Sequence, residues 1–142
     1  MLWDAETGEC SKALDCGKAV NRLAFGEIGG RTLLVTSHGN SLRLWDPRTH
    51  EQIKELTGEY DCVGRIAIGQ VNGRTILAAV GNWDNQTVQL WDPQTGPIGS
   101  PIYLMHKGIS VNFSPNGCLA VTTRLGVAVL TPEFLQFVVG TQ

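Results

Sequence analysis

The chain repeats itself. A repeat restricts the fold more than any local motif, because each copy must bury its faces against its neighbours. Across 142 residues the tripeptide Leu-Trp-Asp occurs three times, ending at Asp4, Asp46 and Asp92. Each copy runs into a similar turn: DAETG, DPRTH and DPQTG. The upstream segments match as well. AVNRLAFGEIGGRTLLV (19–35) aligns with CVGRIAIGQVNGRTILA (62–78) at a constant offset of 43 residues. Gly26 then falls on Gly69, and Gly30-Arg31-Thr32 on Gly73-Arg74-Thr75. Trp45 and Trp91 lie 46 residues apart because the second unit holds three extra residues before its Trp. A third unit, ISVNFSPNGCLAVTTRLGVAVLTP, keeps the order with Phe113 in place of Phe25 and Ile68. Leu130 takes its Trp position and Thr131 its Asp position, the kind of divergence expected of a terminal repeat.

Each unit reads as four short strands. Outer strands are expected at Glu9–Leu14, Gln52–Thr57 and Pro101–Met105, followed by Ala19–Phe25, Val63–Ile68 and Ile109–Phe113. Third strands are expected at Thr32–Thr36, Thr75–Val80 and Cys118–Thr122. Fourth strands follow at Ser41–Trp45, Thr87–Trp91 and Val127–Leu130. Leu42 and Leu44 alternate with Arg43 and Trp45, the period-two pattern of a strand with two distinct faces. Pro47 and Pro93 preset φ at the first corner of the turn. Gly8, His50 and Gly96 stand at its exit, where a left-handed residue fits.

Composition closes off several classes. Hydrophobic residues make up 42% and charged residues 17%, enough to bury a core, and the 17 glycines and six prolines supply turns. A net charge of -2 gives no support for a nucleic-acid or membrane-surface partner. No apolar run approaches the ~20 residues of a membrane span, and no signal peptide is visible at the N-terminus. Cys10, Cys16, Cys62 and Cys118 form no Cys-x-x-Cys pair and read as small buried residues of a reducing compartment, so a cytoplasmic location is expected.

A four-stranded unit of about 43 residues ending in Trp-Asp resembles the WD-repeat β-propeller family. The resemblance covers about Met1 to Pro132, and the wording GRTLL…LRLWDP.T is similar to WD arrays at the C-terminal end of large bacterial signalling proteins. It implies an all-β fold: a partial β-propeller of about three four-stranded antiparallel blades, its ring not closed by this chain alone. The array is expected over 1–132, with 1–4 as the remnant of a truncated blade and blades at 9–46, 52–92 and 98–132. The chain then reads as the C-terminal piece of a longer array. The tail 133–142, EFLQFVVGTQ, is expected as an orphan closing strand, with a short helix or loose end as the alternative.

The resemblance also implies structural roles for Trp3, Asp4, Ser37, Trp45, Asp46, Trp91 and Asp92. In the family the Trp indole donates to a Ser hydroxyl on the third strand, and a His and a turn Asp continue the ladder. Here Trp45 and Ser37 match, while Cys16 stands near the His position and Gly39 near the Asp position. Trp91 matches, but Glu59 follows Gly58 where Gly-His is usual, and Asp84 or Asn85 would serve in the turn. His106 could be the His of the last unit, where no Trp remains.

No catalytic, cofactor-binding or metal-ligating residue is assigned. His38, His50 and His106 fall at unrelated phases, and no nucleophile-elbow, zinc-protease or phosphate-loop pattern occurs. GEIGGR joins two strands in a hairpin and opens no helix. The expected function is a non-catalytic protein-interaction scaffold, a fragment of a larger signalling or regulatory protein. The alternative is a small-ligand or catalytic site in the channel of a completed propeller. Trp83, Asp84 and Asn85 in the inserted loop are the candidate partner contact, since an exposed aromatic at a turn often anchors a partner. Open blade faces are expected to favour self-association.

Overall fold

The computed structural model describes residues 2–3, 6–8, 10–12, 20, 22–58, 65–81, 87–104 and 106–135. The architecture is all-β, and within each sheet strands adjacent in sequence are antiparallel neighbours. A two-stranded piece pairs β1 (Leu2–Trp3) with β2 (Cys10–Lys12). The first four-stranded sheet runs β3 (Arg22–Ile28), β4 (Arg31–His38), β5 (Ser41–Trp45) and β6 (Gln52–Thr57). The second runs β7 (Ile66–Val71), β8 (Arg74–Gly81), β9 (Thr87–Asp92) and β10 (Gly96–Tyr103). The third holds β11 (Gly108–Phe113), β12 (Leu119–Thr123) and β13 (Gly126–Leu130). No sheet closes into a barrel among the described residues, and the arrangement is consistent with a partial propeller.

Hydrogen bonding groups the strands one step later than the repeat units 9–46, 52–92 and 98–132. The strand after each Trp-Asp turn pairs with the strand before it, because the tight turn returns the chain directly onto its own sheet. Thus Trp3 lies opposite Cys10, Trp45 opposite Gln52 and Trp91 opposite Pro97. The last outer strand accordingly belongs to the second sheet. It begins at Gly96, earlier than the expected Pro101, and is bulged between Ile98 and Ile102.

The turns follow their residues. Gly8, His50 and Gly96 all have positive φ, at 73°, 65° and 103°. Asp46 and His50 close their turn with the His50 N–H on the Asp46 carbonyl at 2.8 Å. Gly29-Gly30 and Asn72-Gly73 sit at positive φ in two-residue hairpin turns, since Ile28 pairs with Arg31 and Val71 with Arg74. GEIGGR is therefore a strand-to-strand turn.

The tail departs from the closing-strand expectation at its start. Residues 132–135 form one helical turn, with the Leu135 N–H on the Thr131 carbonyl at 3.0 Å. Thr131 caps it: the Phe134 N–H reaches Oγ1 at 3.4 Å, and Pro132 occupies the first helical position, where its missing N–H costs nothing. Leu135 is fully buried with Val111, Leu119 and Val121, so this part of the tail belongs to the core. Residues 136–142 lie outside the described residues.

The core lies between sheets. Call the front face of a sheet the one carrying Leu23 and Phe25, or Ile66 and Ile68, or Val111 and Phe113; pairing puts these at equivalent register positions. The back face carries Val35, Leu42 and Leu44 in the first sheet and Ala78, Val88 and Leu90 in the second. One cluster packs the first sheet's back face against Ile66, Leu77 and Trp91 of the second. The other packs the second sheet's back face against Val111, Leu119 and Val121 of the third. Close approach needs glycine. A Cβ on Gly26 would meet Ile68 at 2.6 Å, and one on Gly69 would run into the Phe113 ring.

Candidate functional site

The Trp-Asp motifs are the most built features of the molecule, and their groups serve the strands. Trp45 Nε1 donates to Thr36 Oγ1 at 2.9 Å, and that hydroxyl lies 2.6 Å from His38 Nε2. All three side chains are buried. The Thr36 hydroxyl accepts from the indole and shares a hydrogen bond with the imidazole Nε2, linking three buried side chains in a row. This corrects the expected Trp45–Ser37 pair. Trp45 faces Leu34, so the next side chain on that face is Thr36, two residues on. Ser37 points to the other face, where its Oγ accepts the Arg22 N–H at 3.0 Å. His38, read from sequence only as a residue at an unrelated phase, is the ladder's imidazole.

The second sheet lacks this ladder. Trp91 faces Leu77, and the residue in the place of Thr36 is Ala79. The buried Trp91 Nε1 accordingly has no hydrogen-bond partner among the described residues. Its ring edge packs beside Gly58 instead, where a Cβ would meet Cη2 at 2.9 Å. In the third sheet Leu130 and Val121 stand in the places of Trp45 and Thr36, and apolar packing replaces the polar ladder.

Asp46 and Asp92 organise their turns in the same way. One oxygen of Asp46 accepts the N–H of Arg48 (2.8 Å) and of Thr49 (3.4 Å), and the other binds Arg31 at 2.5 Å. One oxygen of Asp92 accepts from Gln94 (2.8 Å) and Thr95 (3.3 Å), and the other binds Arg74 at 2.7 Å. This explains why Gly-Arg-Thr recurs with the Trp-Asp turn. The Arg ties the start of the third strand to the end of the fourth. Both partners are lost together in the third unit, which has Thr131 at the Asp position and no Arg in its 114–118 turn.

The Arg48 N–H is the largest influence on Asp46; burial opposes it, and Thr49 and Arg31 reinforce it, so the carboxyl lies below its ordinary 3.8. For Asp92 burial is the largest influence and acts upward, but Arg74 and the N–H groups of Gln94 and Thr95 outweigh it. A lowered folded pKa contributes stability above the unfolded value, and that stability is lost as pH falls through the folded value. We therefore expect stability to drop as pH falls below about 4, and to drop less steeply in Asp92→Asn. Denaturant titrations across this range check it; parallel slopes for the two proteins would contradict it.

Grooves open on the surface of the described residues. One of about 510 Å³ is lined by Thr57, Gly58, Gln89, Pro97, Gly99, Ser100 and Pro101, at the junction of the first and second sheets. Gln89 is buried, and its amide donates to the Leu90 and Ile98 carbonyls at 2.9 and 3.1 Å, holding the bulge of β10. Another, about 290 Å³, lies along β13 beside Leu104 and His106. Among the described residues neither lining carries a carboxylate, a cysteine or a lysine. Among the described residues no three His, Cys, Asp or Glu side chains stand together as metal ligands, and no helix is long and apolar enough to cross a membrane.

Trp3 lies on β1, and Asp4 is outside the described residues. So are Cys16, Glu59 and the candidate contact Trp83, Asp84 and Asn85. His50 holds its left-handed turn position, and His106 is exposed. The sequence reading missed Thr36, Arg31 and Arg74 as partners of the motifs.

No family model matches the chain. A comparison with curated proteins finds the "Ribosome biogenesis protein WDR12 homolog" of Arabidopsis thaliana, 45% identical over 99 residues. The match takes in 66% of this chain and 22% of that protein's length, so the chain spans about a fifth of its relative. Together with the stacked antiparallel sheets, this likeness supports a relationship to WD-repeat proteins.

Proposed function

We propose that the chain carries a WD-repeat array over 1–132, with repeat units at 9–46, 52–92 and 98–132. Its work is non-catalytic: it holds protein partners in a larger cytoplasmic assembly. The observation that carries this reading is the engagement of the motif residues. Trp45 is tied to Thr36 and His38, and Asp46 and Asp92 to their turns and to Arg31 and Arg74. These groups brace a rigid stack of sheets, and a rigid stack presents loops and grooves to partners at low entropic cost. The relative's name places that protein in ribosome biogenesis, which favours an assembly role over a signalling one. The proposed contact surface is the 510 Å³ groove, and the sequence alone adds Trp83, Asp84 and Asn85 as a further candidate contact.

Affinity purification of the chain with cross-linking tests this. A protein should co-purify in fixed stoichiometry, with cross-links that map close to Thr57 and Pro97 of the groove. Trp83→Ala should weaken its capture at least tenfold without changing the unfolding midpoint. Turnover of a small-molecule substrate, or a metabolite that raises the midpoint while no protein co-purifies, would overturn the reading.

A further inference from the structure

Three of the six prolines follow a hydroxyl residue: Ser100-Pro101, Ser114-Pro115 and Thr131-Pro132. The fold treats the three hydroxyls differently. Ser114 Oγ accepts the Cys118 N–H at 3.0 Å and donates to Asn116 Oδ1, which ties the 114–118 turn together. Thr131 Oγ1 caps the helical turn at 132–135. Among the described residues nothing engages the Ser100 hydroxyl, and Ser100 is exposed.

The backbone sets Ser100 apart as well. β10 is an edge strand of its sheet. Its ladder to β9 passes from Ile98 opposite Leu90 to Ile102 opposite Val88. Gly99, Ser100 and Pro101 therefore stand against Gln89 alone, and the strand bulges there. Gln89 is buried, and its amide holds the Ile98 and Gly99 carbonyls at 3.1 and 3.3 Å. Gly99 takes a φ of 60°, a left-handed value that a side chain would strain. The bulge is thus fixed from the sheet side, and Ser100 is reached without breaking a ladder pair.

We propose that Ser100 is a phosphorylation site for a Ser/Thr kinase that requires proline after its target. A cleft that offers no acceptor to the next residue's amide selects Pro, which has no N–H to leave unsatisfied. The Ser100 oxygen attacks the γ-phosphorus of ATP. An Oγ–P bond forms, the bond from the γ-phosphorus to its bridging oxygen breaks, ADP leaves, and the hydroxyl proton passes to the kinase's base. The product carries a charge of about −1.5 to −2 at neutral pH. Ser100 lines the 510 Å³ groove, whose described lining is uncharged. A partner that covers the groove must strip water from the phosphate, with no cation of this lining to replace it. Phosphorylation therefore releases partners from the groove. The release rests on the scaffold reading above; the modification itself does not.

The test incubates the full chain with ATP and a cyclin-dependent kinase, the proline-directed probe, and maps the modified residues by mass spectrometry. Ser100 should react at least about tenfold faster than Ser114 and Thr131, because those two must first open locally. Ser100→Ala should remove the dominant label. Pro101→Ala should slow labelling at Ser100 by about tenfold or more, the cost of one unsatisfied N–H, with circular dichroism unchanged. No label at Ser100, or equal rates at the three positions, overturns the site. Labelling of Pro101→Ala at the parent rate overturns the requirement for proline. Partner capture is then compared before and after kinase treatment, with treated Ser100→Ala as the control. Capture should fall about tenfold or more only where Ser100 is phosphorylated. Undiminished capture by the chain phosphorylated at Ser100 overturns the release. If neither form captures a protein, the scaffold reading and the release fall together, and the site stands on its labelling alone.

Discussion

Replacing Trp91 by alanine is expected to cost about 3–5 kcal/mol, the range for truncating a fully buried aromatic side chain. Trp91 is 1% exposed and fills the junction between the first two sheets with Leu33, Val35 and Leu77. Trp45→Ala should fall in the same range, because Trp45 is 4% exposed. The two positions separate when the ring is kept and the N–H is removed. Trp45→Phe breaks a buried bond to Thr36, whereas Trp91→Phe removes a donor with no acceptor among the described residues. A typical buried hydrogen bond contributes about 0.5–1.5 kcal/mol, so Trp45→Phe should cost more than Trp91→Phe by about that amount. Chemical denaturation of the four variants measures it. Equal losses in the two Phe variants would show that the Thr36 bond carries no stability.

Gly69→Ala should destabilise by about 1–3 kcal/mol, the usual range for overpacking a well-filled core. Gly69 has an ordinary negative φ, so its backbone tolerates a side chain and the whole effect is space. The new methyl would fall on the Phe113 ring, and the sheets would have to part. Phe113→Ala in the same chain opens room for it. The double variant should therefore lose less than the sum of the single losses, since residues in contact couple by about 0.5–3 kcal/mol. Additive losses in a denaturation cycle would mean that Gly69 and Phe113 do not meet.

The glycine rule shows how far the sequence could be read. Gly26 and Gly69 were visible as aligned residues, but a glycine in a strand has several uses, and its neighbour across a sheet junction leaves no local mark. The turns were readable because their chemistry is local. Pro47, Pro93 and the exit residues Gly8, His50 and Gly96 take the conformations that their side chains favour. The assignment of Ser37 as the partner of Trp45 failed on strand phase. Ser37 is one residue from Thr36, and one residue in a strand exchanges faces. Blade boundaries shifted for a topological reason: a sequence period marks the repeating unit, and the hydrogen bonds fix where a sheet begins. Arg31 and Arg74 were readable in principle, since each recurs with its Asp. Sequence left the strand and short-helix alternatives for the tail open over 133–135, because Phe134 and Leu135 are β-prone while Thr131-Pro132 is a helix start.

The account stands on face-to-back stacking of repeated sheets in one register. The most direct measurement is the proton–proton contact across each junction by NMR. Strong cross-peaks are expected between the Gly69 Hα protons and the Phe113 ring, and between the Gly26 Hα protons and the Ile68 methyl groups. The Gly69 signals should also be displaced by the ring current of Phe113. Strong contacts within each sheet, with neither cross-peak between sheets, would contradict the stacking and the account built on it.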